Sequence, residues 1–262
     1  MALEQLLAQH NTTLSIVVPL YNETPRIDHS IDTILNFLKN KERIELLYVD
    51  DGSTDNSLHT LQNKIDKHVV NLNGQLSNIK INFLRLEKNQ GKGGAIKTGV
   101  LHASNDYILY TDFDFAISLN EIEKFLHEVL NLPQKKGIVI ASRKEDSSIL
   151  KNQSLPRKIM GRVFNFMMKC LVSLPVKDTQ CGFKLFDKKT TKEIFPHLKI
   201  SGFAFDVEIL KLAYHLKIPV IEKGVEIFFD DQYSTINIFV DPLKMLFDLF
   251  KLRVSIWKNS FH

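Results

Sequence analysis

The sequence predicts an α/β fold with a mostly parallel sheet. Three observations point to it. Five short apolar runs rich in Val, Ile and Leu recur in the first 141 residues, and helical patterns follow them. The helical segments place apolar residues three and four apart. Polar clusters follow the apolar runs instead of scattering along the chain, as in sheets that bind ligands beyond the carboxyl ends of their strands. A chain of 262 residues, 44% hydrophobic and 24% charged, can bury a sizeable core, so extended disorder is excluded for most of it.

Leu14–Leu20 is a β-branched apolar run and reads as a buried parallel strand that leads into the loop Tyr21-Asn22-Glu23. Arg26–Asn40 carries Ile27, Ile31, Ile34, Leu35 and Leu38 at helical spacing. Ile44–Val49 is a second strand, stopped by Asp50-Asp51-Gly52-Ser53, and Thr54–Val70 is again helical. Ile79–Leu86 is a third strand, Asn89–Gly94 a Gly- and Lys-rich loop, and Ala95–Ala103 a helix. Tyr107–Tyr110 is a fourth strand, with Asp112-Phe113-Asp114 just past its end. Leu119–Leu130 is helical and Gly137–Ala141 is the fifth strand.

The rhythm then changes. Ser147–Ser154 is polar and reads as a mobile loop, and Leu155–Leu174 as a helix with a basic start. Asp178–Phe186 reads as a loop with a short strand, Phe205–Leu216 as a helix and Val220–Phe228 as a last strand. Residues 1–235 are expected to form one domain, with 236–262 adding a C-terminal amphipathic helix.

The strand-end clusters suggest a chemistry. Asp112 and Asp114 can offer oxygen ligands to a hard divalent cation, which would bridge phosphate oxygens and offset charge on a leaving diphosphate. Acidic groups at Asp50 and Asp51 can accept from a base N–H or from ribose hydroxyls, although Asp-Gly also closes turns. Asn89–Gly94 lacks P-loop spacing, but its glycines let backbone approach a ligand and Lys92 adds charge. Arg143, Arg157 and Arg162 can clamp phosphate oxygens, or can simply be solvated. Asp178, Asp206 and Glu208 are further carboxylates that can face the cleft.

The net charge of +4 is compatible with a phosphorylated ligand or an anionic membrane surface. Nucleic acid is not an expected partner, because the basic clusters belong to no recognisable binding module. Two cysteines, Cys170 and Cys181, make neither a disulfide framework nor a zinc site and read as buried thiols. No signal peptide and no run of about 18 apolar residues is evident, so a cytoplasmic location is expected. Phe239, Leu243, Leu246, Phe247, Phe250 and Val254 recur at helical spacing beside Lys244, Lys251, Arg253 and Lys258. That helix can lie in a membrane interface, pack on the domain, or join a second copy of the chain.

In order along the chain, VVPLYNE (17–23), VDDGSTD (49–55), NQGKGGAIKTGV (89–100), the Asp112–Asp114 pair, ASR (141–143), DTQCGFKLF (178–186) and AFDVEIL (204–210) resemble the inverting family 2 of GT-A glycosyltransferases. The last two stretches are similar to the branch acting on dolichyl and polyprenyl phosphates. The resemblance implies a GT-A fold and a nucleoside pocket lined by Pro19, Tyr21, Glu23, Asp50 and Asp51. It implies that Lys92 and Gly93 approach the donor, that Asp112 faces the sugar diphosphate, and that Asp114 meets Mg²⁺ or Mn²⁺. Arg143 and Arg157 would bind the acceptor phosphate. The implied donor is UDP-glucose and the implied acceptor a polyprenyl or dolichyl phosphate. A phosphate acceptor is ionised near neutral pH and needs little base. A hydroxyl acceptor would need one, with Asp178 or Asp206 as candidates.

Overall fold

The computed structural model describes residues 2–71, 78–151, 172, 174–228 and 247–248. A short helix, α1 (Ala2–Gln9), precedes the first strand and buries Leu3 and Leu7. Then come β1 (Leu14–Leu20), a 3₁₀ turn at Thr24–Arg26, α2 (Ile27–Leu38), β2 (Ile44–Asp50), α3 (Ser57–Asn71), β3 (Lys80–Arg85), α4 (Lys92–His102) and β4 (Tyr107–Thr111). They are followed by α5 (Glu121–Leu130), β5 (Ile138–Ser142), β6 (Ile149–Lys151), β7 (Phe183–Asp187), α6 (Lys188–Ile194), α7 (Phe205–His215), β8 (Val220–Gly224) and β9 (Glu226–Phe228).

Seven strands form one sheet in the order β3-β2-β1-β4-β7-β5-β8. All neighbours are parallel except β7, which runs antiparallel to both β4 and β5. Helices cover both faces, so the central strands are buried on both sides and read as apolar runs rather than alternating ones. Successive residues still part between two cores. Ile16 and Val18 pack with α2 on one face, while Val17 packs on the other with Ile96 of α4 and Phe205 of α7.

Three expectations change. The segment 147–154 contains a strand, because β6 pairs in parallel with β9 in a separate two-stranded sheet. The single strand expected over Val220–Phe228 breaks at Val225, with its halves in different sheets. The loop expected to run to Gly94 ends earlier, since α4 begins at Lys92. The helix expected over Leu155–Leu174 and the C-terminal helix of 236–262 lie outside the described residues, save for Val172, Leu174, Phe247 and Asp248.

Candidate active site

The polar ends of β1, β2, β4 and β5 meet on one edge of the sheet. Past β4, Phe113 turns into the core and meets Tyr48 edge-on, 6.1 Å between ring centres. Its neighbours Asp112 and Asp114 both stay partly exposed. The backbone N–H of Phe115 closes the turn onto the Asp112 carbonyl at 3.2 Å, with Phe115 at φ 47°, a costly value for a bulky residue.

Each carboxylate of the pair has a cation beside it. Lys92 Nζ forms an ion pair with Asp112 Oδ1, an oxygen that is enclosed yet makes no hydrogen bond of good geometry. Arg26 lies 3.7 Å from Asp114 Oδ2, and Asp114 Oδ1 accepts from the Ala116 N–H at 3.1 Å. Burial, and then the charge of Asp112, raise the Asp114 carboxyl above its usual range. Burial would lower Lys92, but the charges of Asp112 and Asp206 outweigh it and raise it. Gly182 forms the floor under this pair. A Cβ there would lie 2.6 Å from the Asp112 carboxyl carbon.

These residues fit a divalent cation. Two carboxylates sit close enough to perturb each other, and Mg²⁺-type sites commonly use one or two carboxylates plus substrate phosphates. Among the described residues no cluster of three or more metal-ligating side chains occurs, so phosphate and water would complete the shell.

On the β1–β2 side, Arg26 holds Glu23 with two hydrogen bonds of 2.5 Å, and burial raises the Glu23 carboxyl despite them. Asn22 Oδ1 accepts from the backbone of Thr54 and Asp55, which ties the two loops together. Asp50 Oδ1 accepts from the Ser53 N–H at 3.0 Å. Its buried Oδ2 makes no hydrogen bond and has Arg85 Nε at 3.5 Å. Pro19 ends this side within β1, and Tyr21 is exposed at its mouth.

Two of the residues expected at the donor also hold the loop together. Asp51 accepts from the N–H groups of Gln90 and Gly91, at 2.7 and 2.8 Å, and so shapes the loop. The Gly93 N–H donates to the Ser201 carbonyl at 2.8 Å. Gly93 is a packing glycine, since a Cβ would sit 2.6 Å from Phe205 Cβ.

On the β5 side, Arg143 grips Asp178. The guanidinium donates from Nε at 2.6 Å and Nη2 at 2.7 Å, and the backbone N–H donates at 2.9 Å. Burial pushes the Asp178 carboxyl up, but these bonds and the Arg143 charge outweigh it and bring it down to about 2. Asp206, the other candidate base, is buried. It accepts from Tyr110 Oη and pairs with Lys184 Nζ at 2.5 Å. Glu208 is likewise committed, to the N–H groups of Lys199 and Ile200. Both candidate bases thus stand against a cation, Asp178 on Arg143 and Asp206 on Lys184. Arg157, Arg162 and Cys170 lie outside the described residues, and burial pushes the Cys181 thiol up to about 12, which keeps it unreactive.

Arg26, Gly182, Lys184 and Ser201 were not anticipated. A signal existed for Lys184, a charge inside the buried strand Phe183–Asp187. Arg26 stands three residues after Glu23, within reach on one helical turn.

Comparisons with known proteins agree with this layout. The model of the family described as Glycosyl transferase family 2 matches residues 15–195. A dolichyl-phosphate beta-glucosyltransferase of Dictyostelium discoideum is 35% identical over 95% of this chain and 77% of its own length. The protein of the same name from Saccharomyces cerevisiae is 33% identical over 92% and 74%. Among solved structures, glucosyl-3-phosphoglycerate synthase from Mycobacterium tuberculosis, in complex with Mn²⁺, UDP-glucose and phosphoglyceric acid, is 14% identical with a TM-score of 0.64 over 97% of this chain and 82% of that one. At that identity the likeness speaks for the GT-A fold alone. The family match over most of the chain, joined to close relatives of one name, carries more: the chain belongs to glycosyl transferase family 2 and is a glycosyltransferase.

Proposed function

We propose that the chain transfers glucose from UDP-glucose to dolichyl or polyprenyl phosphate with inversion at the anomeric carbon. The observation that carries the acceptor class is the commitment of both candidate bases. Asp178 is locked on Arg143, and Asp206 is locked between Tyr110 and Lys184. A hydroxyl acceptor would need one of them to take its proton. A phosphate monoester brings its own ionised oxygen, since its second pKa is about 6. The relatives named above are called dolichyl-phosphate beta-glucosyltransferases, which supports the lipid phosphate and the glucosyl group.

In this reading Asp50, Glu23 and Tyr21 face the uridine, and Asp112 and Asp114 hold Mg²⁺ or Mn²⁺. When bound, the cation supplies positive charge to the diphosphate oxygens. Lys92, beside Asp112, adds a fixed cation on the same side. Arg143 keeps its remaining N–H donors for the acceptor phosphate while Asp178 fixes its plane. The acceptor oxygen attacks the anomeric carbon, the bond from that carbon to UDP breaks, and UDP departs with the electron pair. No helix among the described residues is long and apolar enough to cross a membrane. The membrane-borne acceptor would be met at a surface, with the C-terminal segment 236–262 as the contact.

The test is incubation of the purified chain with radiolabelled UDP-glucose, dolichyl phosphate and Mg²⁺ or Mn²⁺. Label should move to an acid-labile lipid product. Label that appears only in free glucose, or in a hydroxyl acceptor supplied alongside, would overturn the reading.

A further inference from the structure

The loop that carries Asp178 hangs from a residue outside the cleft. Glu222, on the edge strand β8, accepts from two successive backbone N–H groups, Lys177 at 2.7 Å and Asp178 at 2.9 Å. In the sheet Glu222 stands opposite Ile140 of β5, and Arg143 lies just beyond the end of β5. A short relay results. Glu222 fixes the backbone of Lys177 and Asp178, and the Asp178 carboxylate fixes the Arg143 guanidinium, whose side chain stays 33% exposed. Other bonds hold this loop too, but elsewhere. Lys144 Nζ donates to the Lys177 carbonyl, and Lys177 Nζ pairs with Glu145 at 3.0 Å. Neither touches the Asp178 N–H.

We propose that Glu222 is a positioning residue for the acceptor phosphate, acting through Asp178 on Arg143. The acceptor part rests on the reading given above. A carboxylate suits the role because it offers two oxygens at the spacing of adjacent N–H groups, and a charged acceptor makes stronger bonds than a neutral one. Glu222→Gln keeps one carbonyl oxygen, whereas Glu222→Ala keeps none.

The experiment compares wild type, Glu222→Gln and Glu222→Ala in two ways. Amide exchange at Lys177 and Asp178 should quicken about tenfold or more in Glu222→Ala, with Glu222→Gln between, as expected when a charge-assisted bond is lost. With dolichyl phosphate as acceptor, Glu222→Ala should raise the acceptor KM about tenfold, leaving the UDP-glucose KM within about twofold, because only acceptor binding is disturbed. Unchanged exchange at both amides overturns the relay. Faster exchange with donor and acceptor KM shifted alike also overturns it, since that is general loosening. A wild type that transfers nothing to dolichyl phosphate overturns the acceptor reading instead. The exchange data and the side-chain Nε–H signal of Arg143, lost in Glu222→Ala if the relay holds and unmoved if it does not, then decide the relay by themselves.

Discussion

Arg143 reaches Asp178 three times, from its backbone N–H and from two nitrogens of its guanidinium, across 35 positions of sequence. The pair joins the end of β5 to the loop before β7. Its energetics have a definite pH dependence. Burial raises the Asp178 carboxyl and Arg143 lowers it by more, to about 2, below the ordinary 3.8. A carboxyl depressed by folding stabilises fully above its unfolded value and loses that contribution as the pH falls through its folded value. The window here runs from about pH 4 down to about pH 2. Asp178→Asn should cost about 3 kcal/mol at neutral pH, the scale for breaking a largely buried pair, and its stability should fall less steeply across that window. Urea unfolding of both proteins from about pH 6 to about pH 2 measures this. Parallel curves below about pH 4 would show that the pair does not couple to folding.

Gly182 makes a sharper test of the Asp112 site. An added Cβ would first meet the end of a short, partly exposed carboxylate, which can move aside. Gly182→Ala should therefore change unfolding stability by no more than about 1 kcal/mol. It should still weaken Mn²⁺ binding at least about tenfold, because a carboxylate displaced by even an ångström no longer serves its site. Calorimetry with Mn²⁺ and UDP reads the second effect and denaturant unfolding the first. Native Mn²⁺ affinity in Gly182→Ala would remove Asp112 from the metal assignment.

Gly93 separates a packing role from a ligand role. A side chain there would press on Phe205 Cβ at 2.6 Å and the Ser201 carbonyl at 2.9 Å, both held in the core of the domain. Gly93→Ala should destabilise by about 1–3 kcal/mol, as overpacking does. UDP binding, measured below the unfolding temperature, should stay within about threefold of wild type, because the Gly93 N–H is already spent on Ser201. A large loss of UDP affinity with unchanged stability would return Gly93 to the donor site.

The contrast between Gly93 and Asp112 shows what could be read in advance. Strand runs such as Leu14–Leu20 and the clusters after them announce themselves because apolar burial and strand-end position are local properties. Asp112 and Asp114 gained meaning from that placement, and the structure keeps both on the expected edge. Roles that depend on a distant partner were not legible. Nothing near Gly93 names Ser201, and nothing near Asp51 says that Gln90 and Gly91 will claim its oxygens. The antiparallel course of β7 was equally hidden, since nothing within Phe183–Asp187 tells which way it runs beside β4 and β5. The break at Val225 needed knowledge of β6, a partner strand inside a segment polar enough to pass for a loop.

Lys184 gives the last and most demanding prediction. It is wholly enclosed in β7, where its ammonium donates to the Cys181 carbonyl at 2.9 Å and to Asp206 at 2.5 Å, and lies 5.6 Å from the ring centre of Tyr110. Removing one charge of a buried pair costs more than removing both, because the survivor is left without compensation in a poorly polarisable interior. Lys184→Met should therefore destabilise by about 3–5 kcal/mol, and Asp206→Leu by a similar amount. The double variant should recover at least about 1 kcal/mol relative to the sum of the two. A double-mutant cycle by denaturant unfolding supplies the coupling. If the pair only builds the fold, the double variant should regain transfer along with folding; a rate that stays low would show that Asp206 also acts through Lys92, whose charge it favours. Strict additivity of the two single losses would mean that the buried pair contributes nothing beyond its separate members.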